Sequence, residues 1–143
     1  MATRNGSAQW SGSLNEGSGK LTVGDDVWTG DYSFASRFED GEGTNPEELI
    51  AAAHAGCFTM ALSLALGDAG HPPDSINTTA KVQLRNVDGL PTIDKIDLET
   101  EASVPGVDDA AFQEAAEAAK AGCVVSRALA GVKTINLTAK LAS

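Results

Sequence analysis

The stretch NPEELIAAAHAGCFTMALSLAL, residues 45–66, decides how the rest of the chain is read. Asn45 is a good helix N-cap, and Pro46 suits the first helical position, where its missing N–H costs nothing. Beyond them apolar or small residues stand on every side of the helix, among them Leu49, Phe58, Met60, Leu62, Leu64 and Leu66. A helix that is apolar all round is a buried one. The segment is therefore expected as a core helix that ends near Leu66, before Gly67, Gly70 and the pair Pro72–Pro73. Cys57 stands in its middle, either as a small hydrophobe filling the core or as a thiol the helix is built to hold.

On the N-terminal side, residues 8–34 alternate apolar and polar positions between Gly-rich breaks, the pattern of short antiparallel strands joined by tight turns. The segment FASRFEDGEG that follows reads as a loop at its acidic, Gly-rich end, and Arg37 falls in that loop. On the C-terminal side the period changes to two. Ile76, Thr78, Ala80, Val82 and Leu84 share one face, and Ile96, Leu98, Thr100, Ala102 and Val104 share another, around the turn VDGLPT. A second helix, DDAAFQEAAEAAKAGCVVSRALAG, starts with acids that suit its dipole and ends at Gly131, with Cys123 in its apolar half. The last strand puts Ile135, Leu137, Ala139 and Leu141 on one face. The order predicts a single α+β domain over 1–143, an antiparallel sheet with two long buried helices.

Net charge is −10 with a pI near 4.4, which repels phosphate backbones and anionic membrane surfaces, so neither nucleic acid nor membrane is expected as a partner. The start, MATRNGSAQWSGSL, has no apolar run of signal-peptide length, and the apolar segment around Cys57 is internal and interrupted by His54. A soluble cytoplasmic protein is expected. In a reducing compartment two cysteines are more often catalytic, redox-sensing or metal-binding than a permanent disulfide.

AHAGC at 53–57 returns as AKAGC at 119–123, so each cysteine follows a glycine among alanines. Small neighbours would let two helices approach more closely than their usual spacing of about 8–10 Å, as a reversible bond between the thiols requires. Zinc is disfavoured: His54, Cys57 and Cys123 would need His71 as a fourth ligand, and no C-x-x-C or H-x-x-x-H pair exists. His54 reads as a satisfied, half-buried side chain. A buried thiol is inert unless a cation stabilises its thiolate. Arg37 and the first-turn Glu47 are candidates for such a group, since a carboxylate can hold a guanidinium by two hydrogen bonds.

NPEELIAAAHAGCFTMALS, the upstream arginine in SRFEDGEGTNPEEL and the later AGCVVSRAL resemble the osmotically inducible protein C and organic hydroperoxide resistance family over nearly the whole chain. Arg37 lies 20 positions before Cys57 (57 − 37), as in the osmotically inducible protein C branch. The resemblance implies a thiol peroxidase that reduces organic hydroperoxides without a metal, haem or flavin. It implies Cys57 as peroxidatic and Cys123 as resolving cysteine, Arg37 as the thiolate-activating cation, and Glu47 as the carboxylate that holds it. It further implies a lipoyl-type external dithiol as reductant and an intertwined homodimer with sites at the subunit interface. Phe58, Met60 and Leu64 would give apolar walls for an alkyl peroxide. Two other functions share these residues: a redox sensor that switches once per reduction cycle, and a carrier of apolar small molecules with incidental cysteines.

One geometric point bears on assembly. Glu47 and Cys57 are ten positions apart, so on one continuous helix they are roughly 15 Å apart along the axis. Either the helix breaks after its first turn, or Glu47 serves the Cys57 of another subunit.

Overall fold

Three short strands, β1 (Gly6–Ser11), β2 (Ser18–Val23) and β3 (Trp28–Tyr32), form an antiparallel meander in register Gly6↔Val23 and Gly19↔Tyr32. They belong to a computed structural model of the protein that describes residues 1–142 and divides into two compact units, residues 1–49 and the remainder from Ile50. The meander admits only glycine at position 19. A Cβ there would lie 2.1 Å from the Gln9 carbonyl oxygen and under 3 Å from the rings of Tyr32 and Trp10, which meet edge to face at 5.1 Å.

After the meander comes a short helix, α1 (Phe34–Phe38), where the sequence suggested a loop. Its cause is a capping box: the Ser33 hydroxyl accepts from the Ser36 N–H, and the Ser36 hydroxyl accepts from the Ser33 N–H. Arg37 is therefore a helical residue.

The long helix α2 (Pro46–Asp68) begins in the first unit and runs unbroken through 23 residues. Asn45 caps it as expected, its Oδ1 accepting from the Glu48 N–H at 2.9 Å. By length and composition α2 could cross a membrane. It is not buried on every side, however. Within the second unit a stripe of His54, Phe58, Leu62 and Leu66, each four apart, is sealed from solvent, while Met60 and Leu64 are 76% and 66% exposed. One chain thus covers one stripe of a helix that is apolar all round.

In the second unit β4 (Ser75–Val87) and β5 (Leu90–Ser103) make a long antiparallel hairpin. Asp88 and Gly89, at φ 52° and 83°, form its two-residue turn, which needs left-handed backbone at both positions. Ile76 faces Ala102, Thr78 faces Thr100, and Ala80 faces Leu98, the faces read from the period of two. The last strand, β6 (Thr134–Leu141), aligns Ile135, Leu137, Ala139 and Leu141 beside Ile96, Leu98, Thr100 and Ala102. It runs parallel to β5, so the α+β sheet is antiparallel with one parallel pair. The helical crossover between β5 and β6 returns the chain to the end of the sheet where β5 began.

That crossover is two helices. α3 (Asp109–Gly122) and α4 (Val124–Ala128) are separated at Cys123, whose ψ of 125° breaks the helical path. Cys123 therefore sits at a junction and not inside one helix. Phe58, Leu62 and Leu66 of α2, Phe112, Ala116 and Ala119 of α3, and Leu98 and Ala102 of β5 make one core that includes Cys123. The opposite face of the sheet is solvated and carries pairs such as Lys81–Glu99 at 2.8 Å.

Candidate active site

The residues singled out from the sequence fall into two groups, one in each unit. In the first unit α1 and the start of α2 are tied together by side chains. The Ser36 hydroxyl donates to the Thr44 carbonyl at 2.7 Å, and the Asn45 amide donates to the Ser36 carbonyl at 2.9 Å. These bonds set Arg37 opposite Glu47. Arg37 Nε lies 3.2 Å from both carboxylate oxygens, and Nη2 lies 2.7 Å from Oε1. Glu47 is nearly buried, and 38% of the arginine side chain remains exposed, with Nη1 making no hydrogen bond among the described residues. Such a pair is a cation fixed in direction. The neighbouring Glu48 is occupied differently, accepting from the Thr44 hydroxyl at 2.9 Å. Beside the guanidinium, Trp10, Leu14, Tyr32, Phe34 and Phe38 line a pocket of about 420 Å³ that sequence reasoning did not find.

In the second unit α2 and the α3–α4 junction bring the two cysteines together, and both thiols are free. Cys57 is half-buried and Cys123 fully buried. Burial raises the Cys57 thiol above its ordinary pKa and the adjoining Cys123 thiol adds to this, while N–H groups of Val125 and Val124 act the other way. None of these influences is a cation. Burial also opposes ionisation of Cys123, but the hydrogen bond from the Cys57 thiol, with the N–H and hydroxyl of Ser126 and the N–H of Val125, more than offsets it and holds that thiol low.

The proximity of the thiols does not come from the two glycines. A Cβ added at Gly56 or Gly122 would meet nothing within 4 Å, so the repeated AGC does not mark a close approach of helices. The break at Cys123 brings the thiols together instead. Phe58 is a core residue with no exposed surface and lines no open site, whereas Met60 and Leu64 stay on the surface of α2.

His54 is completely buried, not half-buried, and it is not satisfied as the sequence suggested. Its Nε2 lies 2.6 Å from the Ser126 hydroxyl, but Nδ1 has no partner among the described residues. An unpaired buried polar atom costs about 1–3 kcal/mol. Burial lowers the imidazole pKa from its ordinary 6.5. Ser126, 72 positions away in sequence, could not be linked to His54 by any local pattern. His71 lies beyond α2, its N–H donating to the Leu66 carbonyl at 2.8 Å. Among the described residues no three His, Cys, Asp or Glu side chains are grouped to hold a metal ion.

The OsmC-like protein family matches residues 39–138 of this chain. Peroxiredoxin OsmC of Escherichia coli (strain K12) is 47% identical over 138 residues, 96% of either chain. The organic hydroperoxide resistance protein of Xanthomonas axonopodis pv. citri (strain 306) is 33% identical over 99 residues, 68% of either chain. Among solved structures, an organic hydroperoxide resistance protein OsmC from Legionella pneumophila superposes over the full length of both chains with a TM-score of 0.72 at 21% identity, a likeness of fold.

Proposed function

This chain belongs to the OsmC-like protein family and is a cysteine-based peroxidase, and we propose that it reduces organic hydroperoxides to alcohols as part of an oxidative stress response. The observation that carries the proposal is the pair of free, mutually hydrogen-bonded thiols of Cys57 and Cys123. In this reading the Cys57 thiolate attacks the distal peroxide oxygen, the O–O bond breaks, and the alkoxide leaves as alcohol on taking a proton. Cys57 is then a sulfenic acid, and the Cys123 sulfur displaces its oxygen as water to give the disulfide. An external dithiol reduces that disulfide by exchange, and a lipoyl-type dithiol is the proposed reductant. No step calls for a metal or an organic cofactor.

The peroxidatic role requires the thiolate to lie on Cys57, and within its own unit that thiol is raised. Arg37, held by Glu47, is the cation proposed to lower it. α2 is continuous, so Glu47 and Cys57 are separated by about 15 Å of helix. The proposed solution is a homodimer in which Arg37 and Glu47 of the partner subunit attend each Cys57. The exposed Met60 and Leu64 supply an apolar face that a second copy would cover. Two copies of the single OsmC-like domain would then make two composite sites.

Preference for organic over hydrogen peroxide is assigned to the aromatic pocket beside Arg37, whose Trp10, Tyr32, Phe34 and Phe38 can receive an alkyl or acyl tail. Unpaired thiols suit a reducing cytoplasm, and the chain is assigned there.

The test is steady-state consumption of cumene hydroperoxide and of hydrogen peroxide with dihydrolipoamide as reductant. Continuous turnover, faster with cumene hydroperoxide, is expected. One reaction per reduction cycle would instead identify a redox sensor, and absence of any disulfide after peroxide would identify a carrier.

A further inference from the structure

Phe38 closes α1 with 42% of its surface exposed, so burial does not account for a large ring at that position. Its contacts do. Arg37 Cζ lies over the ring, 5.2 Å from its centroid, within the range at which a cation is drawn to an aromatic face. Neighbouring residues inside a continuous helix diverge by about 100° and do not face each other. The contact forms where α1 stops, and the next residue, Glu39, has extended backbone at φ −133° and ψ −158°. Phe34, four positions before Phe38, packs against the same ring, with centroids 4.9 Å apart and planes inclined at 46°. The three side chains make a row, Phe34–Phe38–Arg37.

This row supplies what Glu47 does not. The carboxylate holds one edge of the guanidinium, through Nε and Nη2, and an edge contact leaves both faces open. Guanidinium faces carry no hydrogen-bond donor and are weakly hydrated, so a ring covers one at little desolvation cost. With an edge on Glu47 and a face on Phe38, the direction of Nη1 is constrained from two sides.

We propose that Phe38 is a positioning residue: its ring, braced by Phe34, holds the Arg37 guanidinium in the plane in which Glu47 grips it, so that Nη1 stays aimed at the thiolate it serves. The inference rests on the peroxidase reading given above and adds to it. In that reading Phe38 is one wall of the pocket for an organic tail. As a positioning residue it also acts when the peroxide has no tail. The two roles therefore differ for hydrogen peroxide, which has nothing to lay against a wall.

The experiment follows oxidation of Cys57 by rapid mixing in a Cys123→Ser background, where the sulfenic acid is the end point, with hydrogen peroxide and with cumene hydroperoxide. Phe38→Leu keeps an apolar wall and loses the aromatic face. It is expected to slow oxidation by both peroxides about two- to fivefold and to raise the midpoint of Cys57 alkylation against pH. Phe38→Tyr, which keeps the face, should restore both. In Arg37→Ala the change to leucine should alter the hydrogen peroxide rate by less than about 1.5-fold, because a residue that acts through the arginine has nothing left to act on. An effect of Phe38→Leu confined to cumene hydroperoxide, an undiminished effect in Arg37→Ala, or no recovery with tyrosine overturns the inference and leaves Phe38 a wall alone. Should Phe38→Leu not fold, as judged by circular dichroism, Phe38→Met, also without a ring, decides in its place. Oxidation of Cys57 at the wild-type rate in Arg37→Ala would overturn the role proposed for the arginine and this inference with it. A slow Arg37→Ala beside an unaffected Phe38→Leu is a distinct result and overturns this inference alone.

Discussion

Arg37 grips Glu47 through two nitrogens, with Nε 3.2 Å from both carboxylate oxygens and Nη2 2.7 Å from one of them. The carboxylate is nearly buried at the head of α2, so it fixes the plane of the guanidinium and leaves Nη1 to face something else. A lysine in that place would keep the charge and lose the plane.

If this cation serves the Cys57 thiolate, Arg37→Ala should raise the Cys57 pKa by roughly 1–3 units, with Arg37→Lys in between. Alkylation by iodoacetamide against pH, in a Cys123→Ser background where only Cys57 reacts, measures it. A titration curve that Arg37→Ala leaves in place would remove the arginine from activation.

The exposed side of α2 gives a second expectation. Met60 and Leu64 lie four positions apart on one face, 76% and 66% exposed in the single chain. If a second copy covers this face, as proposed, replacing both with glutamate should leave a monomer in light scattering and remove most peroxidase activity, since each site would lose the partner's cation. A fully dimeric double variant would place the interface elsewhere.

Much of this was legible in the sequence because burial of one face imposes a period. The faces of β4, β5 and β6 follow directly from alternation at Ile76, Leu98 and Ile135 and their neighbours, and Asn45–Pro46 marks the start of α2 by capping chemistry alone. The direction of β6 carries no such mark, because period two is the same for parallel and antiparallel pairing. The break at Cys123 was hidden for a similar reason: AKAGCVVSRAL keeps helical spacing across it. Its trace is a polar residue three positions after the sulfur, Ser126, the spacing of a cap. The capping box of Ser33 and Ser36 was readable and turns the supposed loop at Arg37 into a helix. The extent of burial of α2 was misread from composition, since apolarity on all sides describes what the helix can bury and not what one chain does bury.

Glu47→Ala and Cys57→Ser chains should complement each other. In the proposed homodimer each parent would lack one component of both sites, whereas a mixed dimer would contain one site with an intact cysteine facing an intact Arg37–Glu47 pair. Co-refolding the two inactive chains is expected to yield peroxidase activity well above either parent. With mixed dimers verified by differently tagged chains, no recovery would place Glu47 in the same chain as the thiol it serves.

His54 makes stability depend on pH with a definite sign. Its folded-state pKa is lowered by burial, so above the unfolded value of about 6.5 both states are neutral and the group contributes no difference. As pH falls through that value the unfolded chain takes up a proton that the folded chain refuses, and stability is lost progressively toward the lower folded-state pKa. Urea denaturation between neutral and mildly acidic pH should show this loss, and His54→Gln should flatten it. A variant with the wild-type slope would assign the acid lability to other groups.

The most direct measurement is the fate of the two sulfurs after one equivalent of cumene hydroperoxide, read by peptide mass spectrometry on wild-type, Cys57→Ser and Cys123→Ser protein. The account predicts a single Cys57–Cys123 disulfide within one wild-type chain, one added oxygen on Cys57 in Cys123→Ser, and no peroxide consumed by Cys57→Ser. Peroxide consumption by Cys57→Ser, with oxygen appearing on Cys123, would contradict it, because Cys123 would then be the sulfur that meets the peroxide.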